Sequence, residues 1–289
     1  MDPWKYSFTV GDFKCLAIND GYYPYERPAK LLFPAASPEN LKTELKRFNI
    51  QLNRWEQWLG PYNCLFVDTG LNKVLVDTGM GPGGDSSKGQ GRLLAGLAEE
   101  GIAPGDIDTV IISHAHPDHL CGNIRADGQL AFPGASFIFW KEEWEFWTTS
   151  RAEEELPGKF KKNLLSCARQ QLPPLAERVR LMEREEEIVP GIKALAAPGH
   201  TPGLMVAAIA SGGEQVFCVS DLLIHPLHVE YPEWYSAIDI DPEQNIVSRR
   251  RILRKALVEK ALLFGFHFPF PGLGRVSGDQ NKWHWKPVE

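Results

Sequence analysis

One short stretch carries most of the chemistry that this sequence can support. Three histidines and an aspartate, His114, His116, Asp118 and His119, lie within six residues, one residue after the apolar run 110–112. An apolar, β-branched run that ends in polar residues is typical of a buried strand. Side chains alternate along an extended segment, so His114 and His116 are expected to face one side. Asp118 and His119 would then lie in the first turn of a following helix.

This arrangement predicts a site for two neighbouring metal ions. A single histidine is usually a surface or core residue, but imidazoles at alternating strand positions pack no better than valine or leucine would. Imidazole and carboxylate are ligands that zinc and other first-row metals prefer. Zinc, manganese, iron and cobalt all suit a set without thiolate, and we expect two divalent ions, with zinc as the first choice.

The order His-x-His-x-Asp-His resembles the signature of the metallo-β-lactamase superfamily. That resemblance implies three later ligands, and each expected position is occupied. His200 stands in the loop Pro-Gly-His-Thr-Pro-Gly, whereas Asp221 and His267 each end an apolar pattern typical of a buried strand. Upstream, Asp77 matches an aspartate that orients a ligand in this family without binding metal. The implied assignment gives one metal His114, His116 and His200, gives the other Asp118, His119 and His267, and makes Asp221 a bridge.

The resemblance also implies an α/β fold, the four-layer αβ/βα sandwich, with two mixed sheets face to face, helices outside and the metals at one edge. We interpret 1–289 as a single domain of this fold. Strand patterns over Tyr6–Val10 and Phe13–Ile18 flank a hairpin turn. The stretch 21–38 is rich in proline and aromatic residues and predicts an irregular arm. Residues 1–60 are therefore expected to precede the catalytic fold as an extension, which either covers one sheet or acts as a lid or a dimer arm.

Helical periodicity predicts helices from Pro38, over about 90–100, over about 159–171 and from Pro242. The last of these carries three consecutive arginines at 249–251. We interpret that run as a solvated face or an internal ion pair, and not as an anion site.

Composition narrows the range of partners. The net charge of −6 argues against a nucleic acid or an anionic membrane surface. No stretch approaches the roughly 20 apolar residues of a membrane-spanning helix, and the N-terminus shows no signal peptide. The five cysteines are scattered without Cys-x-x-Cys spacing, so a disulfide framework is not expected and a cytoplasmic location is.

The resemblance implies hydrolysis by a hydroxide that bridges the two metals. One metal would polarise the substrate oxygen while the hydroxide attacks. We expect Asp118 and Asp221 to be the catalytic side chains. Asp118 would pass a proton to the leaving group, and Asp221 would hold both metals.

Within the superfamily, the chain resembles the branch that contains methyl parathion hydrolase and the YtnP-type lactonases. The N-terminal hairpin, the stretches 130–135 and 189–192 and the tail from 268 carry this likeness. It implies a homodimer that hydrolyses lactones, aryl esters or phosphotriesters. The chain departs from the acyl-homoserine lactonases at Ile224, where they have a tyrosine, from the usual histidine at Leu204, and from a usual glycine at Cys121.

The predicted substrate pocket is apolar and aromatic, formed by Trp144, Trp147, Ile224 and Phe268 with His228 as a polar neighbour. Such a pocket beside a cationic centre suits a small, neutral, hydrophobic substrate. Two alternatives stay open at this point. The first is a thioester hydrolase similar to glyoxalase II, and the second is a metal-binding relative without catalytic activity.

Overall fold

The computed structural model describes residues 4–156, 161–279 and 281–288, and its strands form two sheets in which spatial order follows chain order. The strands of the first sheet are β1 Lys5–Val10, β2 Phe13–Glu26, β3 Gln57–Asp68, β4 Lys73–Val76, β5 Thr109–Ile111, β6 Ser136–Trp140 and β7 Val179–Met182. Those of the second are β8 Glu187–Val189, β9 Ile192–Ala196, β10 Met205–Ser211, β11 Glu214–Cys218, β12 Leu262–Phe264, β13 Leu273–Gly278 and β14 Trp283–Pro287.

The helices lie between these strands in the chain. They are α1 Pro28–Leu32, α2 Pro38–Leu45, α3 Leu93–Glu99, α4 Pro117–Leu120, α5 Lys141–Thr148, α6 Arg151–Glu155, α7 Lys161–Gln171, α8 Leu227–Glu230 and α9 Pro242–Glu259. The helix predicted over 90–100 begins at Leu93, and residues 159 and 160 of the helix predicted over 159–171 lie outside the described residues. Over the described residues, we find no helix with both the length and the hydropathy needed to cross a membrane.

Strand β6 illustrates how the layers are built. Ile138 packs in a core between the two sheets, together with Ile209 and Val216 of the second sheet. Its neighbours Phe137 and Phe139 point to the opposite face, because side chains alternate along a strand, and pack with the helices outside the first sheet. Helix α9 covers the outer face of the second sheet through its apolar side. The α/β sandwich with outer helices is therefore confirmed.

The N-terminal segment differs from the prediction. Strand β2 continues past Ile18 to Glu26 and pairs with β3 across a bulge between Asn19 and Tyr22. The predicted irregular arm is therefore wrong over 21–26, where aromatic side chains favour the extended chain, and over Pro28–Leu32, which forms helix α1. Strands β1 and β2 are part of the first sheet, so residues 5–26 belong to the sandwich. The role of this segment as a lid or a dimer arm stays a prediction.

The metal-ligand candidates follow strands that run in the same direction. Strand β9 is antiparallel to β10, β10 is antiparallel to β11, and β11 is parallel to β12. The C-terminal ends of β9, β11 and β12 therefore lie at one edge of the second sheet. His200, Asp221 and His267 each follow one of these ends, which explains how residues far apart in the sequence meet.

Candidate metal centre

Two clusters of ligand atoms lie side by side at this edge. His114, His116, His200 and Asp221 form the first, and Asp118, His119 and His267 form the second; within each cluster the ligand atoms are all within 4.8 Å of one another. The structure thus brings together all seven residues that the sequence predicted as ligands.

Asp221 lies between the two clusters. Its Oδ2 is 3.3 Å from Nε2 of His200, in the first cluster. Its Oδ1 is 3.1 Å from Nε2 of His119 and 3.2 Å from Nε2 of His267, in the second. One carboxylate thus presents an oxygen to each cluster, which is the arrangement that a ligand shared by two cations requires.

Several of these atoms are buried without a hydrogen-bond partner. They include Nε2 of His114, Nε2 of His119 and Oδ1 of Asp221. An unsatisfied buried polar atom costs about 1–3 kcal/mol, so a group of them is unfavourable in the protein alone. Nitrogen and oxygen atoms that converge in this way fit two divalent cations.

Asp77 fixes the orientation of one ligand, as the resemblance implies. Its Oδ2 lies 2.8 Å from Nδ1 of His119, and its Oδ1 accepts the backbone N–H of Ser113 at 2.8 Å. The bond to Nδ1 leaves Nε2 of the same ring facing the centre. Asp77 has φ +58° and Ser220, next to Asp221, has φ +46°. Backbone strain of this kind, in residues other than glycine, is concentrated at functional sites.

Two further ligands are oriented by groups that the sequence did not single out. Nδ1 of His200 lies 2.8 Å from Oδ1 of Asp239, and Nδ1 of His267 donates to the carbonyl oxygen of Pro61 at 3.0 Å. In both rings Nε2 is left for the centre. Asp239 lies within 3.5 Å of the fully buried Arg249 guanidinium, so helix α9 supports the ligand His200 through this aspartate.

Glu143 joins the loops that carry the ligands of the first cluster. Its Oε1 accepts the N–H of Ala115 at 2.9 Å and the indole N–H of Trp147 at 2.6 Å. Its Oε2 accepts the N–H of Gly203 at 3.0 Å. A Cβ at Gly203 would lie 2.1 Å from the Glu143 nitrogen, so only glycine permits this approach. Glu143 was not predicted from the sequence, although its spacing from Phe146 and Trp147 puts the three on one helix face.

The environment sets the charge of the ligands. Burial lowers the pKa values of His114 and His116 well below the ordinary value, which keeps both rings neutral as metal ligands must be. Burial also acts to lower the pKa of His119, but Asp118, Asp221 and Asp77 together raise it. Burial acts to raise the pKa of Asp221, but His267 and His119 hold it well below its usual range.

The predicted substrate pocket needs correction. Trp147 is close to the centre, with its ring 5.8 Å from that of His116. Phe268 is fully buried in the core outside the second sheet, and Ile224 packs in a separate core with helices α1 and α2. Nε2 of the buried His228 donates a hydrogen bond to the Leu32 carbonyl oxygen at 2.9 Å. These three side chains fill the interior and do not line an open pocket.

Trp144 also points away from the ligands. Its ring packs at 5.2 Å against Phe139, on the helix-covered face of the first sheet. The aromatic side chains beside the second cluster are others, which the sequence analysis missed. The rings of Tyr25, Trp58 and Tyr62 lie 6.1, 6.1 and 5.6 Å from that of His267.

The comparison with known proteins agrees with this geometry. Residues 58–267 match the sequence model of the metallo-beta-lactamase superfamily. The chain belongs to the metallo-beta-lactamase superfamily. It is 27% identical to the N-acyl homoserine lactonase AiiA of Bacillus thuringiensis subsp. kurstaki, over 72% of this chain and 81% of that protein.

Solved structures extend the likeness to nearly the whole chain. AidC, a dizinc quorum-quenching lactonase determined with a product, is 28% identical and superposes with a TM-score of 0.86, over 99% of this chain and 98% of AidC. The hydrolase AbOPH is 26% identical, with a TM-score of 0.87 over 100% of this chain and 99% of AbOPH. Together with the two ligand clusters, these relatives identify the chain as a metal-dependent hydrolase.

Proposed function

We propose that this superfamily member hydrolyses lactones at a centre of two divalent cations, with zinc as the native metal. One observation carries the proposal: the carboxylate of Asp221 stands between two complete ligand clusters, with one oxygen toward each. The likeness to a dizinc lactonase over 99% of the chain supports both the metal and the substrate class.

The ligand side chains would hold the cations in two groups. His114, His116 and His200 would hold one, Asp118, His119 and His267 the other, and Asp221 both. When bound, the cations would activate a water molecule and polarise the substrate carbonyl.

Asp118 is the side chain suited to move the proton. It is 13% exposed, more than the buried ligands around it, and its Oδ2 is 3.4 Å from Nε2 of His267 and 3.7 Å from Nε2 of His119. It can therefore take a proton from the attacking water and give it to the leaving oxygen when the ring opens. Asp221 and Asp118 are thus the two catalytic carboxylates of the proposal.

A substrate panel tests the proposal. The metal-reconstituted protein is assayed on an acyl-homoserine lactone, a simple γ-lactone, p-nitrophenyl acetate, a glutathione thioester and a phosphotriester. We expect the highest kcat/KM on a lactone, loss of that activity in excess chelator, and its return on addition of Zn²⁺. Activity on the thioester alone would contradict the substrate class. Activity that resists complete metal removal would contradict the metal-dependent mechanism.

A homodimer and a cytoplasmic location belong to the same proposal. Leu59 is an exposed apolar side chain on β3 that a second copy could cover. Light scattering of the purified protein should give twice the chain mass of 32.5 kDa. A mass equal to one chain over the micromolar range would contradict the dimer and leave the hydrolase assignment unaffected.

A further inference from the structure

Two tyrosines meet beside the second ligand cluster. Tyr25 lies on the part of β2 beyond the bulge, Tyr62 lies on β3, and their hydroxyl oxygens are 3.3 Å apart. Their rings are 6.1 and 5.6 Å from the ring of His267, at 89° and 61° to it. Both side chains therefore stand against a residue of the proposed metal centre.

The two hydroxyls carry two protons but share one hydrogen bond. A phenol O–H is a single donor, so one hydroxyl donates to the other and the second proton remains. In the part of the chain that the structure describes, the contact between the two hydroxyls is the one hydrogen bond that either of them makes. Tyr62 is only 3% exposed, whereas Tyr25 is half-buried. Either hydroxyl can donate to the other. When Tyr62 donates, the O–H of the more exposed Tyr25 is left for an external acceptor.

Both hydroxyls interact electrostatically with carboxylates of the centre. An ordinary phenol has a pKa of about 10 and is protonated at neutral pH. Burial raises the pKa of Tyr25 further, followed by the effects of Tyr62 and of the carboxylates Asp118 and Asp221. Burial and then Asp118 likewise raise the pKa of Tyr62. Two carboxylates of the centre thus act on the hydroxyl of Tyr25.

We propose that Tyr25 is a catalytic hydrogen-bond donor to the carbonyl oxygen of the substrate, and that Tyr62 is the residue that positions its hydroxyl. The inference rests on the proposed hydrolysis of an acyl compound. When water attacks the carbonyl carbon, the carbonyl oxygen gains negative charge. A hydrogen-bond donor that is already in position stabilises this charged transition state more than it stabilises the bound substrate.

Single substitutions that keep the rings test the donor. Tyr25→Phe is expected to lower kcat on a lactone on the order of 100-fold, as loss of one oxyanion donor does. KM and the bound metal per chain should stay unchanged. Tyr62→Phe should give a smaller loss, and the double variant should be no slower than Tyr25→Phe, because both act through one hydroxyl. Tyr23→Phe is the matched control, since Tyr23 is on the same strand but 45% exposed, and should keep full activity.

A second substrate identifies the acceptor atom. A lactone and its thiolactone share the carbonyl oxygen and differ in the leaving atom. The loss in Tyr25→Phe should therefore be the same for both. A loss confined to the lactone would overturn the assignment to the carbonyl oxygen.

Three other outcomes would overturn the proposal. They are unchanged kcat in Tyr25→Phe, a fall in bound metal that accounts for the lost activity, and equal losses in Tyr23→Phe. If Tyr25→Phe does not fold, full kcat in a folded Tyr62→Phe would overturn it as well. Failure of the proposed function is a separate result, because the wild-type protein would then be inactive on lactone and thiolactone alike.

Discussion

Glu143 shows how one carboxylate can support a site without touching it. Its two oxygens accept three N–H groups, from the loops beside His116 and His200 and from Trp147. Glu143→Gln replaces one of these oxygens with an amide donor, which leaves at least one buried N–H unsatisfied. We expect a loss of about 1–3 kcal/mol in the free energy of unfolding and of about 10–100-fold in metal affinity.

Urea denaturation and metal titration of the apoprotein check both effects. Glu142→Gln is the matched control, because Glu142 is next in the chain but 43% exposed and paired with Arg151. It should change neither quantity appreciably. Equal behaviour of the two variants would contradict the supporting role of Glu143.

Asp20 gives a prediction about pH. Its carboxylate is buried and accepts the N–H groups of Met80, Gly91 and Leu93, at 2.9, 3.2 and 2.8 Å. Burial raises the pKa of this carboxyl to about 6, although these bonds act to lower it. In an unfolded chain the pKa of aspartate is about 3.9. The folded state therefore binds more protons between about pH 4 and 6, and stability from this group is lost as the pH rises through that window.

Asp20→Asn should remove this dependence. From pH 4 to pH 6 the free energy of unfolding of the wild type, relative to the variant, is expected to fall by about 2 kcal/mol. Urea denaturation at several pH values measures the difference. Asp12→Asn, on the exposed hairpin turn, is the control and should run parallel to the wild type. A rise of the wild type relative to Asp20→Asn would contradict the sign.

At the scale of single residues, the ligands and one of their supports, Asp77, were predicted, but Glu143 was not. His-x-His-x-Asp-His is a dense local pattern with no rival use, so His114 and its neighbours could be identified at once. Glu142 and Glu143 look equivalent in the sequence, and only the direction of helix α5 decides which is buried. The prediction of the pocket residues was wrong for a similar reason. An apolar residue such as Phe268 fits a core and a pocket equally well, and the sequence does not distinguish them.

Among the elements, helix α9 connects the outer layer to the centre. Arg249 is fully buried; its Nε donates to the Leu222 carbonyl at 2.7 Å, and Nη1 donates to the Trp234 carbonyl at 3.1 Å. Its Nη2 lies 3.5 Å from the Asp239 carboxylate, which orients His200. The internal ion pair predicted for the arginine run thus applies to Arg249.

Arg249→Met should be strongly destabilising. It removes the guanidinium donor of a buried carboxylate and of three carbonyl groups, those of Leu222, Pro232 and Trp234. The expected cost is about 3–5 kcal/mol. Thermal and urea denaturation measure it. Arg250→Met is the control, because Arg250 is 46% exposed and its ion pair with Glu233 is long, at 3.9 Å. This substitution should cost at most about 1 kcal/mol. A cost below that level for Arg249→Met would contradict the role of the helix.

The extent of strand β2 was predicted wrongly from the sequence. Pro24 and the surrounding aromatic residues predicted an irregular arm, yet the chain stays extended to Glu26 because it pairs with residues 57–61. Partners so far away in the sequence cannot be recognised from local pattern. The part of β2 that was predicted to be irregular carries Tyr25, and its partner strand β3 carries Trp58. The aromatic side of the site was therefore not predicted.

In the molecule as a whole, the proposed function depends on ligands from both sheets that meet at one edge. The loop after β5 in the first sheet supplies one set of ligands, and the ends of β9, β11 and β12 in the second supply the rest. Neither sheet alone holds a complete cluster. The resemblance to the metallo-β-lactamase superfamily predicted this meeting. The structure explains it, because strands that run the same way end at the same edge.

The most direct test of this account is a crystal of the zinc-reconstituted protein measured at the zinc absorption edge. We expect two anomalous peaks about 3.5–4 Å apart, one beside His114, His116 and His200 and the other beside Asp118, His119 and His267, with Asp221 between them. A single peak, or peaks elsewhere in a fully metallated protein, would contradict the two-cation centre on which the proposed hydrolysis depends.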